Sequence, residues 1–247
     1  MPVYLILGAS GGIGTALTHR LAADGADLVL GARNEAPLRA LADEVGATAH
    51  PLDATSYEAV QGIVDAAVEQ HGRIDGAVNL VGSILLKPAH LTSVDEFDTA
   101  ISLNLNTAFY LVKAAARAMQ TNKEPEGGAI VLMSSVAARL GLANHEAIAA
   151  AKGGVSGLTL AAAASYAPRK IRVNAIAPGL VRTPLTERLT SSDAAVDASA
   201  KMHALGRIGE PDDLVDALHF LLDSSRSGWV TGQTLSVDGG FATVRPR

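Results

Sequence analysis

Short apolar runs alternate with helix-period segments along almost the whole chain. The runs are VYLIL (3–7), DLVLG (27–31), GATAHPL (46–52), DGAVNLV (75–81), GAIVLMS (128–134), IRVNAIA (171–177) and TLSV (234–237). None alternates cleanly between apolar and polar residues, as expected of strands covered on both faces. Segments 13–24, 35–45, 56–71, 94–120, 145–166 and 211–223 carry apolar residues at helical spacing instead. Strands alternating with helices require right-handed crossovers. They predict one α/β domain over 1–247, a doubly wound parallel sheet of about seven strands with helices on both faces.

Residues 183–209, TPLTERLTSSDAAVDASAKMHALGRIG, break this rhythm, being small, polar and weakly periodic. A long irregular insertion at the carboxyl end of a strand is where an α/β protein places a lid over its ligand. A plain surface excursion has the same signature.

Composition narrows the picture. Hydrophobic residues make up 48% and aromatics 4%, so Ala, Val, Leu and Ile must build the core, which suits a helix-covered sheet. The net charge of −5, with no basic cluster, argues against a nucleic-acid partner. The absence of cysteine excludes disulfides, thiolate metal sites and a cysteine nucleophile. The seven histidines are scattered, and no metal is assigned. The start, MPVYLILG, lacks the basic region and apolar length of a signal peptide. The longest apolar stretch, 147–168, is interrupted by Lys152 and three glycines and makes a poor membrane span. The expectation is a cytoplasmic protein with a small-molecule partner and no membrane partner.

The first strand runs straight into GASGGIG, comprising Gly8, Ser10, Gly11, Gly12, Ile13 and Gly14, which opens the first helix. Glycines let backbone approach a pyrophosphate, whose charge then meets the free N–H groups of the helix start. The spacing is G-x-x-x-G-x-G, and its position in the first strand–helix unit points to a Rossmann-type dinucleotide site. At the end of the second strand an NAD site wants a carboxylate for the ribose 2′-hydroxyl. Here the chain reads GARNE, and the fork of Arg33 suits a 2′-phosphate. NADP(H) is therefore favoured over NAD(H). Arg33 also reads as a solvated residue at a helix start, and Glu35 lies close by.

These residues resemble the short-chain dehydrogenase/reductase family over essentially the whole chain. LGASGGIG is similar to its glycine motif, with Leu7 where a Thr is usual. LDAT (52–55) resembles the segment whose Asp holds the adenine, implying roles for Asp53 and Ala54. NLVG (79–82) resembles the Asn-Asn-Ala-Gly motif, matched at Asn79 and Gly82 but not at the two middle positions, which include Val81. LNLNTAF (103–109) places the family's catalytic Asn at Asn104, and VLMSS places its Ser at Ser135. APGLVRTPL (177–185) resembles the loop at the nicotinamide carboxamide, implying contacts from Pro178, Gly179, Val181 and Thr183. VTGQTLSVDGG (230–240) is like the family's C-terminal strand.

The family's catalytic pair is Tyr-x-x-x-Lys, and here the residues are Ile148-Ala-Ala-Ala-Lys152. Counting from Ser135 also lands on Ile148, so the register has not slipped. Carbonyl reduction needs a hydride from nicotinamide and a proton for the developing alkoxide. A Tyr one turn before a Lys shares its helix face and exchanges protons more readily beside the ammonium. Ile148 can do neither. The resemblance leaves Lys152 its other role, bonding the nicotinamide ribose.

A positioned general acid contributes about 10²–10⁴ in rate. Orienting the reactants contributes about 7–11 kcal/mol and does not need the tyrosine. Loss of activity therefore does not follow from Ile148. Three replacements can be weighed. His145, three residues earlier and about 4.5 Å along the axis, shares a similar face if the helix already runs there. Glu146 points elsewhere on a regular helix and complements its dipole. A water held by Ser135, Lys152 and Asn104 is the third. An iminium substrate, which needs no proton on nitrogen, would also tolerate an apolar Ile148.

Gly153, Gly154 and Gly157 would let two helices approach closely, and the resemblance implies a homo-oligomer, a tetramer or dimer. Packing against the chain's own sheet uses the same residues. Arg139, Arg182 and Arg207 could meet an acidic substrate near the lid, or serve as plain surface charges. Two functions stand. The first is an NADP(H)-dependent oxidoreductase acting on a small carbonyl, alcohol, enone or imine with altered proton delivery. The other is a catalytically silent nucleotide-binding subunit that stabilises or regulates a partner.

Overall fold

The computed structural model describes residues 1–245. One parallel sheet contains β1 (Val3–Leu7), β2 (Asp27–Ala32), β3 (Thr48–Pro51), β4 (Gly76–Asn79), β5 (Gly128–Met133), β6 (Ile171–Pro178) and β7 (Thr234–Val237). Their spatial order is β3-β2-β1-β4-β5-β6-β7. Every strand expected from the apolar runs is present, with β3 and β4 trimmed at both ends.

Side-chain alternation divides the core in two. Leu5 and Leu7 of β1 face one apolar cluster, while Tyr4 and Ile6 face another. The first cluster packs under α3 (Tyr57–His71), α5 (Thr107–Met119) and α6 (Glu146–Tyr166). Helices α1 (Gly12–Ala23), α2 (Glu35–Val45) and α8 (Pro211–Leu222) cover the second. Because both faces are buried, β1 shows no exposed position at all.

Strand β1 pairs with β2 on one side and β4 on the other. The winding direction therefore reverses at β1, and a crevice opens beyond the carboxyl ends of β1 and β4. That reversal positions the site.

Two segments depart from the sequence expectation. The single helix foreseen over 94–120 is α4 (Val94–Ile101) and α5 joined by one wide π turn, Ser102–Asn106. Such turns admit an extra residue and recur at functional sites. The segment 183–209 is not irregular throughout. It forms a 3-10 turn over Pro184–Leu189 and the helix α7 (Asp193–Ala200), which Ser192 caps by accepting from Ala195 N. Periodicity missed α7 because its apolar residues are mostly alanines that bury little surface.

Helix α6 is long and apolar enough to span a bilayer by composition, yet Val155, Ala162 and Ala163 pack into the core and Lys152 is buried in its first half. It is the core helix of the domain.

Candidate active site

The glycine loop leaves β1 in a conformation that only glycine tolerates easily. Gly8 has φ +82°, and a side chain there would lie 3.0 Å from the backbone of Leu80 and Val81. A Cβ on Gly14 would collide with the carbonyl oxygen of Gly8. Gly11 caps α1 without any side-chain bond, and the first turn holds no acidic residue. The amides of Gly12, Ile13 and Gly14 therefore keep the positive end of the helix available beside Ser10. This arrangement fits a pyrophosphate, and no side chain of the loop obstructs it.

Just after β3, Asp53 Oδ1 accepts from the backbone N (2.9 Å) and hydroxyl (2.7 Å) of Thr55. Those two bonds, aided by the nearby charge of Arg33, hold its carboxyl below the usual carboxylate range. Ala54 is buried beside it. Arg33 is exposed and makes no ion pair among the described residues. Glu35 is engaged by Arg39 at 2.7 Å.

Asn79 stabilises the exit of β4. Its Oδ1 accepts from Val81 N at 3.0 Å, and its Nδ2 donates to Thr107 Oγ1 at 3.0 Å. Thr107 in turn donates to Leu103 O, so β4 is tied to the π turn. Beyond it lies a cleft of about 150 Å³, whose walls include Ile13, Val81, Gly82, Asn104, Ser135 and Lys152. Pro178, Gly179, Val181 and Thr183 close its other side. The cleft thus gathers Ile13 and the residues from Val81 onward, whereas Gly8, Ser10, Gly11, Gly12, Gly14, Arg33, Asp53, Ala54, Asn79 and His145 do not line it.

Asn104 sits in the π turn with its amide committed. Nδ2 donates to Ser83 Oγ and Ala100 O, both at 2.9 Å, while Oδ1 accepts from Ser83 N at 3.1 Å. It has little capacity left to hold a relay water, and its visible work is to order the turn after Gly82. Ser135 Oγ accepts from Ala137 N at 3.1 Å and keeps its hydroxyl proton for the cleft. The amine of Lys152 donates to Met133 O at 2.8 Å. Burial pushes its pKa down to about 8. One donor is used and two remain.

Sequence reasoning missed Ser134 and His203. The Ser134 hydroxyl contacts Lys152 O at 3.0 Å and Ser156 Oγ at 2.9 Å, fastening α6 to β5 beneath the amine. Buried His203 receives Leu180 N at Nε2 (3.2 Å). Its proton therefore lies on Nδ1, which donates to Ser199 O at 2.8 Å. This imidazole joins α7 to the loop after β6. No motif marked either residue; each is legible only as a bond between distant segments.

Ile148 is buried in the wall between the cleft and a second chamber of about 630 Å³. Ser135, Gly179 and Thr186 also line both. The chamber walls are apolar, with Leu86, Leu142, Leu180, Leu189, Met202 and Phe241 among them, and α7 supplies one side. His145 also lines it, as the residue capping α6 rather than within the helix. Its Nδ1 is 2.7 Å from Ala143 O, so in the neutral ring Nδ1 carries the proton and Nε2 is an acceptor.

The three arginines noted in the sequence are otherwise engaged. Arg182 pairs with Glu210 at 3.2 Å, Arg207 with Asp213 at 2.6 Å, and Arg139 donates to Ser236 at 3.1 Å. Another cavity, about 690 Å³, lies at the amino ends of the strands beside Tyr4, Asp75 and Arg172. It is at the opposite edge of the sheet from the glycine loop and takes no part in this site.

With this geometry in view, comparison with known proteins places the chain. A family model described as enoyl-(acyl carrier protein) reductase matches residues 8–242. The trans-4-hydroxycyclohexanecarboxylate dehydrogenase of Sinomonas cyclohexanicum is 36% identical, covering 96% of this chain and 92% of that protein. The D-threitol dehydrogenase of Mycolicibacterium smegmatis is 35% identical, with 97% and 92% covered. Among solved structures, a short-chain type dehydrogenase/reductase from Mycobacterium ulcerans superposes with a TM-score of 0.92 at 32% identity, covering 99% and 90%. The chain belongs to the short-chain dehydrogenase/reductase family. Members of this family are NAD(P)-binding oxidoreductases acting on small alcohols and carbonyls.

Proposed function

We propose that this protein is an NADP(H)-dependent oxidoreductase that interconverts an apolar carbonyl compound and its alcohol, with altered proton delivery. The observation carrying this reading is the junction of cleft and chamber at Ser135 and Ile148. It lets two ligands meet there, one on the dinucleotide side and one among apolar walls. When bound, a reduced nicotinamide supplies a hydride to the carbonyl carbon.

The chain's own residues do the rest. Gly8 to Gly14 receive the pyrophosphate, and Asp53, Ala54 and Asn79 hold the adenosine side. Pro178, Gly179, Val181 and Thr183 orient the carboxamide end, opposite Val81 and Gly82. Arg33 selects the 2′-phosphate, a reading supported by the engagement of Glu35 with Arg39. Ser135 bonds the carbonyl oxygen. Lys152 bonds the ribose and supplies the proton, because burial has made its ammonium a stronger acid than an ordinary lysine. His145, at the chamber wall, is a second donor only as an imidazolium, because the neutral ring spends its one N–H on Ala143 O. Asn104 positions the turn carrying Ser83.

The apolar walls favour an alicyclic or hydrocarbon substrate over a polyol. Each hydroxyl of a threitol-like molecule buried there without a partner would cost about 1–3 kcal/mol. Residues 183–209, with α7, form the lid over this chamber. A Cβ added at Gly153 or Gly157 would meet nothing within 4 Å, whereas one at Gly154 would run into the Leu105 side chain. The open pair, with Phe109 half exposed, supports self-association into a homo-oligomer.

A second reading is the silent nucleotide-binding subunit, favoured by Ile148 alone. Titration calorimetry with NADPH and NADH, followed by coenzyme consumption on ketone, enone and imine panels, separates the two. Tight NADPH binding with turnover supports the enzyme. Binding without turnover on any panel supports the silent subunit.

A further inference from the structure

Among the chamber's wall residues no Asp or Glu appears, and the one permanently charged side chain is Arg188. It belongs to the 3-10 turn Pro184–Leu189 and is exposed. Unlike Arg182 and Arg207, it has no ion pair or side-chain hydrogen bond among the described residues. The chain carries a net charge of −5, yet the one permanently charged residue lining this largely apolar room is a cation without a carboxylate partner. Low-dielectric walls weaken the screening of such a charge and focus its field into the space they enclose. A guanidinium offers a planar fork that matches a carboxylate through two parallel bonds.

We infer that Arg188 is the anchor for a carboxylate on an otherwise apolar substrate. The acid group pairs with Arg188, the hydrocarbon body fills the space between Leu142, Leu189 and Met202, and the reacting carbon reaches Ser135. Arg188 lines the chamber and not the cleft, whereas Ser135 lines both, so charge and reacting carbon occupy separate parts of one molecule. This selects hydroxy and keto acids with an apolar spacer over neutral alcohols and ketones. It rests on the reading of the chamber as the substrate room, but the recognition it describes needs no turnover.

The test is equilibrium binding of two inert probes, cyclohexanecarboxylate and cyclohexanecarboxamide, which share a shape and differ in charge. Calorimetric titration is run on the full chain, with and without NADPH. The acid is expected to bind about tenfold more tightly than the amide, as a partly screened guanidinium–carboxylate pair allows. In Arg188→Met that ratio falls toward one; in Arg188→Lys it is intermediate; in Arg139→Met, outside the chamber, it persists. Equal affinities in the wild type, a preference that survives Arg188→Met, or no measurable binding of the acid would overturn the assignment. Failure of the coenzyme reading is seen separately, as absence of NADPH heat while the acid preference remains.

Discussion

The amine of Lys152 donates to the carbonyl oxygen of Met133 at 2.8 Å, joining the second turn of α6 to the last residue of β5. Ser134 reinforces the junction by bonding Lys152 O. A buried ammonium is stable only with such partners. Here they are neutral, so desolvation is not offset by an opposing charge and the pKa drops to about 8. The site thus holds a lysine of lowered pKa one helical turn after the apolar Ile148.

That pKa sets a pH dependence. The ammonium is complete below about pH 7 and disappears as pH rises through about 8. Carbonyl reduction, measured as kcat/KM against pH, should fall above about 8, and Lys152→Met should be low and lack the inflection. For stability the sign is opposite. Between about 8 and the ordinary 10.5 the unfolded chain holds the proton more tightly, so this group's contribution to stability rises with pH across that window.

Ile148→Tyr would place a phenol one helical turn before Lys152, at the wall shared by cleft and chamber. Ketone reduction should increase by about 10²–10⁴, the range supplied by a positioned acid. Steady-state rates on a common ketone panel check this. An unchanged rate would mean that proton transfer does not limit the wild type.

Removing Arg33 should discriminate between coenzymes. Arg33→Ala is expected to weaken NADPH binding at least tenfold, equivalent to losing about 1.5 kcal/mol of charge-assisted bonding. NADH affinity should change less than about twofold. Fluorescence titration with both coenzymes measures the contrast.

His203 connects α7 to the loop after β6 through two bonds and packs against Phe241 with ring centroids 5.0 Å apart. His203→Ala should cost about 2 kcal/mol, or roughly 4–8 °C in Tm for a chain of this size. KM should rise more than kcat falls, because the chamber wall loosens while Ser135 and Lys152 stay in place. Thermal melts and steady-state kinetics on the same preparation report both effects.

The sheet was legible because its runs are apolar on both faces and each is followed by helical periodicity. The glycine loop was legible because Gly8 and Gly14 are demanded by backbone geometry, which leaves a mark in sequence. The π turn left none, since Ser102 to Asn106 continue a helical pattern while the backbone widens around Asn104. Helix α7 was hidden by alanines. The chamber's charge was also hidden. Arg182, Arg188 and Arg207 look alike in sequence, and only folding shows that two of them find carboxylates while Arg188 faces the chamber.

The most direct test of the account follows an atom. Wild-type protein is incubated with NADPH deuterated at the transferable position and with alicyclic ketones, keto acids and imines, and products are analysed by mass spectrometry. The account predicts at least one product carrying a single deuterium on the former carbonyl or imine carbon, formed more slowly by Lys152→Met. Tightly bound coenzyme with no deuterium in any product, and deuterium transfer appearing only in Ile148→Tyr, would contradict it.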